Sequence, residues 1–182
     1  MAENRQTKAR KERTRKPPPP LDPVMLDAIA VRYVERFQTT RARLVRLLRQ
    51  KLRQRGWEEG LPAADPEAVA ERMVQLGYVN DQAFAEARTR GLVRRGMGAG
   101  RVKQALAAYG VDSELVAAAV SDVDALGAAV DFAHRKRLGP FGPPVTEPKA
   151  RMKQLGAMAR AGHGYEVAKR VVDARSEEEL ED

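Results

Sequence analysis

The segment from Arg88 to Lys103 contains six basic side chains and no acidic one. These side chains are Arg88, Arg90, Arg94, Arg95, Arg101 and Lys103. Positive charge at this density favours an anionic partner, especially at a corner where two helix ends meet and concentrate the potential. The chemistry that the segment indicates is therefore electrostatic binding of an anion. The alternative is a solvated charged face that binds nothing.

Two other segments have the same character. The stretch 41–55 contains seven basic residues and no acidic one, although like charges repel along a helix. On a helical wheel, three of its arginines fall opposite the leucines that would face a core, namely Arg46, Arg49 and Arg53. The third segment follows His134 and consists of Arg135, Lys136 and Arg137. We take all twelve residues as candidates for contact with an anionic partner.

Catalytic and metal chemistry is not indicated by the other residue types. The chain has no cysteine, and its two histidines, His134 and His163, lie far apart in the sequence. Two isolated histidines do not make a zinc site without carboxylate ligands, so we expect both at the surface or in loops. No serine–histidine–aspartate arrangement stands out. The sequence therefore predicts a protein without enzymatic activity, cofactor or metal.

Gly96, Gly98 and Gly100 invite comparison with a nucleotide-binding loop. The segment follows no predicted strand and is not followed by Gly-Lys-Ser/Thr, and phosphate loops need those contexts. A corner between two helices, where open backbone angles are needed, accounts better for these glycines. The free amides at the start of the next helix could still hold a DNA phosphate.

Composition and charge narrow the class of protein. The 182 residues are rich in alanine, leucine and arginine, and only 5% are aromatic, which favours helices over strands. The net charge is +8. Residues 1–20 contribute seven basic and two acidic side chains, and residues 176–182 contribute five acidic ones, so the body between them is itself positive. Nucleic acid, or a protein filament on nucleic acid, is the partner class that this charge indicates.

The features of membrane and secreted proteins do not occur in the sequence. No apolar run approaches the ~20 residues needed to cross a membrane. The N-terminus also lacks the apolar segment of a secretory signal. We expect a cytoplasmic protein.

Capping residues mark the predicted helix starts, and glycines mark several helix ends. The starts are Asp22-Pro23, Thr39 or Thr40, Asp65-Pro66, Asn80 or Asp81, Asp112, and Thr146 with Pro148. Apolar residues recur at helical spacing after these starts. The side chains predicted to be buried include Phe37 at the end of the first stripe and Leu76 at the end of the third.

A recurrence in the sequence predicts three similar modules. An apolar residue lies four positions before a helix-ending glycine at Leu52–Gly56, Leu106–Gly110 and Met158–Gly162, at intervals of 54 and 52 residues. We therefore expect an all-α protein of three tandem three-helix modules that form an elongated, curved rod. The predicted ranges are 21–78, 79–121 and 122–175. A disordered basic, proline-rich tail at 1–20 precedes them, and a frayed acidic tail at 176–182 follows.

The stretch 76–106 contains two motifs that point to a family. Leu-Gly-Tyr-Val-Asn-Asp is followed by Phe-Ala, and Gly-x-Gly-x-x-Arg-Val-x-Gln-x-Leu ends at Leu106. Over roughly 26–120 the chain resembles the RecX regulatory proteins of bacteria, although Ala99 and Ala105 stand where that family commonly has proline and glutamate. The resemblance implies an all-helical protein that lies in the groove of the RecA–DNA filament. There it would block filament growth, ATP turnover or entry of duplex DNA.

Two other functions remain open. A general DNA-binding protein would use residues 101–109 as a recognition helix, although only Arg101, Lys103 and Gln104 offer polar contacts there. A protein-interaction scaffold would use its arginines for solubility. We expect a monomer.

The predicted affinity for single- or double-stranded DNA is mainly electrostatic. Binding to single strands through stacked bases needs exposed aromatic side chains. In this sequence, at least four of the nine aromatic residues fall on predicted core stripes, namely Tyr33, Phe37, Phe84 and Tyr109. Contacts to phosphates should therefore dominate.

Overall fold

The computed structural model describes residues 18–181, and within that range the regular structure is helical. The helices of this part of the chain are α1 Pro23–Val34, α2 Arg41–Arg55, α3 Pro66–Gln75, α4 Asp81–Val93, α5 Ala99–Tyr109, α6 Ser113–Ser121, α7 Ala125–Lys136, α8 Pro148–Arg160 and α9 Tyr165–Asp173. Short 3₁₀ turns occur at Gly139–Phe141 and Glu178–Leu180. None of the helices described is long and apolar enough to span a membrane.

Local signals in the sequence set many of the helix ends. The side chains of Asp22, Thr40, Asp65 and Asn80 each accept a hydrogen bond from the backbone amide three residues further along. The three recurring glycines end their helices with positive φ, which is 78° at Gly56, 75° at Gly110 and 90° at Gly162. A residue with a side chain would be strained at these angles, so the recurrence reflects a repeated helix end.

The helices group in threes around three apolar cores. Helices α1–α3 share the first core, α4–α6 the second and α7–α9 the third. Among the most deeply buried side chains are Leu26, Leu44 and Leu48 in the first core, Val102 and Leu106 in the second, and Ala129, Met158 and Val171 in the third. The predicted all-α architecture of three tandem modules is thus confirmed, and the modules form an elongated row. The exact module ranges stay a prediction.

Two side chains that the sequence predicts to be buried lie at the surface. Because α1 ends at Val34, Phe37 falls in the following loop and is 56% exposed. Leu76 follows the last residue of α3 and is 61% exposed. Helical spacing predicts a buried face only while the helix continues, so both predictions fail just past a helix end.

The two ends of the chain differ in what can be said of them. The predicted disorder at 1–20 falls mostly on residues 1–17, which lie outside the described residues, whereas the carbonyl of Pro19 accepts hydrogen bonds from Arg55 at 2.8 and 2.9 Å. The acidic end is more ordered than the sequence predicts. Leu180 is only 6% exposed and packs in the third core, because it is the one apolar residue in the acidic segment and can anchor it.

Candidate nucleic-acid interface

The modules meet at two joints of the same design. The C-terminal end of α5 lies against the N-terminal end of α2, which we call joint A. The C-terminal end of α8 lies against the N-terminal end of α5, which we call joint B. The middle helices of the three modules therefore meet end to end. At each joint the electronegative end of one helix faces the electropositive end of the next.

Joint A is closed by hydrogen bonds to the last carbonyls of α5. The Thr40 hydroxyl donates to the Tyr109 carbonyl at 2.6 Å, and Arg46 donates to the Ala108 carbonyl at 3.1 Å. The Asn80-Asp81 pair of the Leu-Gly-Tyr-Val-Asn-Asp motif also contributes to this joint. Asn80 caps its own helix, whereas an Asp81 carboxylate oxygen accepts the Arg41 amide at the start of α2 at 2.8 Å.

Joint B explains the glycine-rich corner. The amides of Gly98 and Gly100 donate to the carbonyls of Ala161 and Gly162, both at 3.0 Å. A Cβ atom on Gly98 would lie 2.4 Å from the Gly162 carbonyl oxygen, which is far inside a normal contact. The prediction that these amides are free to hold a DNA phosphate is therefore wrong for Gly98 and Gly100, because the carbonyls that follow α8 already accept hydrogen bonds from them.

His163 is part of joint B and not a surface residue. It is only 7% exposed, and its ring centre lies 5.5 Å from that of Phe132. Its Nε2 lies 3.0 Å from the Gly96 carbonyl, so Nε2 must donate. Burial lowers the pKa of His163 below its ordinary value of 6.5, and the hydrogen bond to Gly96 offsets part of that effect. His134 is exposed, as predicted.

No metal site accompanies these histidines. Within residues 18–181, no group of histidine and carboxylate side chains is arranged to hold a metal ion.

Part of the predicted basic surface gathers at the joints. At joint B, Arg135 donates to the Arg94 carbonyl at 3.0 Å, so the ends of α4 and α7 meet. Arg95, Lys136 and Arg137 lie directly at these two ends, and Arg101 lies beside Gly162 at the start of α5. At joint A, Arg46 and Arg88 approach the end of α5.

The remaining predicted residues are not brought into these groups. Arg49 pairs with Glu67 of α3, and Arg90 pairs with Glu86 on its own helix at 3.7 Å. Arg53 is exposed on α2. Helix α3 thus supplies carboxylates that α2 lacks, since Glu71 also pairs with Arg41 at 3.0 Å. The charge of α2 is balanced in part across the first module.

The exposed residues around joint B keep their charges available. Arg95 bonds to the Gly91 carbonyl at 3.0 Å, and Arg101 bonds to the Gln104 side chain at 2.5 Å. Neither residue, nor Arg94 or Lys103, forms an ion pair with any residue between 18 and 181. Their contacts hold the side chains along the helices without neutralising them.

Sequence reasoning missed Arg43 at joint A. Its guanidinium lies 4.8 Å from the centre of the Tyr109 ring, and that of Arg88 lies 5.5 Å away. A hydrogen bond with the Tyr109 side chain is the main cause of a pKa of Arg43 above its ordinary value. The basic run 41–55 includes Arg43, but no local pattern places it against a residue 66 positions later.

Comparisons with known proteins agree with this architecture. A family model described as "RecX, second three-helix domain" matches residues 80–120, which hold α4–α6 apart from the last residue of α6. The regulatory protein RecX of Myxococcus xanthus is 34% identical over 174 residues, covering 91% of this chain and 93% of that protein. The RecX of Mycobacterium sp. strain JLS is 36% identical over 150 residues, covering 77% of this chain and 78% of that protein.

Solved structures show the same fold at low sequence identity. The crystal structure of RecX from Lactobacillus salivarius has a TM-score of 0.63 and 16% identity, and the match covers 84% of this chain and 95% of that one. A second structure, of a regulatory protein RecX, has a TM-score of 0.60 and covers 83% of this chain and 73% of that one.

Proposed function

The chain belongs to the RecX family of regulatory proteins, and from this premise we propose that it binds the RecA–DNA filament and modulates it, with inhibition as the main effect. Inhibition would act on filament growth, ATP hydrolysis and strand exchange during recombination and DNA repair. We propose that the protein acts in the cytoplasm as a monomer, without a cofactor.

The observation that carries this proposal is the row of modules with basic residues at its joints. A module of about 50 residues is about 25 Å across, so three in a row reach roughly 60–75 Å. An object of this length can touch several subunits of a filament when it lies in the filament groove. Contacts with more than one subunit would oppose the relative movements that growth and ATP turnover require.

The basic surface at joint B is the part that we propose to face DNA phosphates. Arg94, Arg95, Arg101 and Lys103 are exposed there and lack carboxylate partners between residues 18 and 181. The nearby run at 135–137 extends the same positive surface. Such a surface attracts single- and double-stranded DNA alike, because phosphates occur in both.

The alternative of a general DNA-binding protein with α5 as recognition helix is less well supported. A recognition helix places its N-terminal residues against base edges in the major groove. The N-terminal end of α5 instead lies against α8 through the Gly98 and Gly100 amides. Groove insertion at that end would require joint B to open.

A titration of RecA ATP hydrolysis on single-stranded DNA tests the proposed function. We expect the protein to slow hydrolysis at less than one molecule per RecA subunit, because each molecule contacts several subunits. The variant with Arg94, Arg101 and Lys103 changed to Glu should lose most of this effect while keeping its helical circular dichroism. If each residue meets a phosphate, the slope of log affinity against log salt should fall by roughly 0.7–0.9 per residue.

The matched control reverses three exposed lysines of the third module, at Lys149, Lys153 and Lys169. It changes the net charge by the same amount, so it should keep most of the inhibition if position matters. Equal damage in both variants would mean that the attraction is diffuse. No effect of the unaltered protein at one molecule per RecA subunit would contradict the proposed function.

A further inference from the structure

An exposed aromatic ring lies beside joint A. Phe37 belongs to none of the three cores and is 56% exposed. Its ring centre lies 5.2 Å from that of Tyr33, with the planes inclined by 42°. Tyr33 holds one side of the Phe37 ring, while over half of the residue remains open to solvent.

The surface next to Phe37 is strongly basic. Two open cavities of about 410 and 350 Å³ share Tyr33, Arg43 and Tyr109 among their lining residues. Phe37 and Arg88 line the larger cavity and Arg46 the smaller, and no acidic residue between 18 and 181 lines either. None of the three arginines forms an ion pair with a residue between 18 and 181.

Arg88 provides a second observation at the larger cavity. Its Nε atom is buried and has no hydrogen-bond partner among the described residues. A buried donor without a partner costs free energy, so its persistence calls for a reason. An anion entering the larger cavity beside Arg88 would relieve part of that cost by electrostatic attraction.

A nucleotide of a single strand has the chemistry that matches both features. Its base offers a flat face for stacking on an aromatic ring, and its phosphate offers a negative charge for guanidinium groups. A duplex offers phosphates, but its bases are stacked on one another and unavailable to Phe37. An acidic segment of a protein would pair with the arginines but would leave the ring without a stacking partner.

We propose that joint A is a binding site for single-stranded DNA, with a base stacked on Phe37 and an adjacent phosphate held by Arg43 and Arg88. This inference deepens the proposed function and depends on it only for its biological setting. The site extends the DNA contact from the basic residues of joint B to the opposite end of α5. It adds one base contact to the phosphate contacts that the sequence predicts to dominate.

Binding of the full-length protein to bare oligo(dT) and to an abasic oligonucleotide of equal length tests the site without RecA. For Phe37→Ala and Phe37→Leu we expect oligo(dT) binding roughly 5- to 150-fold weaker, which is the usual range for one stacked base. Both variants should bind the abasic strand as the unaltered protein does. Tyr165→Ala is the control, because Tyr165 is also an exposed aromatic residue, at 63%, but lies on the third module.

The spectroscopic form of the test uses Phe37→Trp. A base stacked on the new indole should quench its fluorescence on addition of oligo(dT) but not of the abasic strand. The signal of the unaltered protein, which contains Trp57 alone, is subtracted.

Two results would overturn the inference. The first is oligo(dT) binding by Phe37→Ala that equals that of the unaltered protein. The second is a loss of affinity for the RecA filament without a loss for bare oligo(dT), which would assign the groove to a protein segment. Failure of the proposed function appears separately, as RecA ATP hydrolysis that the unaltered protein does not slow.

Discussion

At the level of single residues, the protonation of His163 links the stability of joint B to pH. Its Nε2 atom donates to the Gly96 carbonyl, and its ring packs on Phe132, so it joins the second module to the third. Burial lowers its pKa in the folded protein below the ordinary value of 6.5. The unfolded chain therefore takes up a proton at a higher pH than the folded protein does.

This difference gives a prediction for stability against pH. The contribution of neutral His163 is fully present above pH 6.5 and is lost as the pH falls from 6.5 through the lowered folded pKa. Urea unfolding at a series of pH values should show this loss, and His163→Gln should remove it from that interval. His134→Gln is the control, since His134 is exposed. An unchanged profile in His163→Gln would show that another group is responsible.

The basic residues show why sequence alone predicts an exposed basic surface only in part. Charge runs in the sequence identified Arg94, Arg101 and Lys103, which are exposed as a binding surface requires. The same reasoning gave Arg49, which pairs with Glu67 of the next helix, and it missed Arg43 beside Tyr109. The partner of a charged side chain often lies on another helix, as Glu67 does for Arg49. A helical wheel represents a single helix and therefore does not show such a partner.

At the level of helices, the sequence predicts starts and ends because these depend on neighbours in the chain. Caps such as Asp65 bond to an amide three residues away, and positive φ at Gly110 depends on that residue itself. The burial of His163 and of Leu180 depends instead on contacts with distant helices. Periodicity carries no information about such contacts, so the sequence predicts His163 at the surface or in a loop and Leu180 in a frayed end.

The strongest prediction at the level of helices concerns the glycines of joint B. Gly98→Ala places a methyl group against the backbone of Gly162, and overpacking of this kind costs about 1–3 kcal/mol. Gly162→Ala should cost more, because its φ is +90° and its Cβ would lie 2.1 Å from the Arg101 amide nitrogen. Urea unfolding followed by circular dichroism measures both losses.

Gly91→Ala is the matched control for the joint. Gly91 lies inside α4, and beyond the backbone of its own helix a Cβ there would meet none of the described residues within 4 Å. Alanine is the better helix former, so this variant should gain up to about 1 kcal/mol. A Gly98→Ala variant as stable as the unaltered protein would show that the backbone contact at joint B is not tight in solution.

At the level of the whole molecule, the two joints connect three modules, each with its own apolar core, into one elongated protein. The first and second cores are formed by residues that precede 122. Met97 packs against both the second and the third core, and Arg135 bonds to the Arg94 carbonyl. The third module is therefore attached through joint B, and the cores of the first two modules contain none of its side chains.

Deletion of residues 122–182 tests whether inhibition depends on the length of the protein or on its charge. We expect the fragment 1–121 to fold with a loss of stability, because Met97 loses its contacts with the third core and the Gly98 and Gly100 amides lose their acceptors. It should inhibit RecA ATP hydrolysis much less per molecule, since a body shorter by about 25 Å contacts fewer filament subunits. The full-length variant with Lys149→Gln and Lys153→Gln lacks two of the deleted charges, both outside the proposed binding surface, but keeps the length. It should inhibit nearly as well as the unaltered protein.

A folded fragment with full potency would show that the first two modules suffice for inhibition. Inhibition would then depend on local contacts at joint A and at the basic ends of α4 and α5, and not on the length of the protein along the filament.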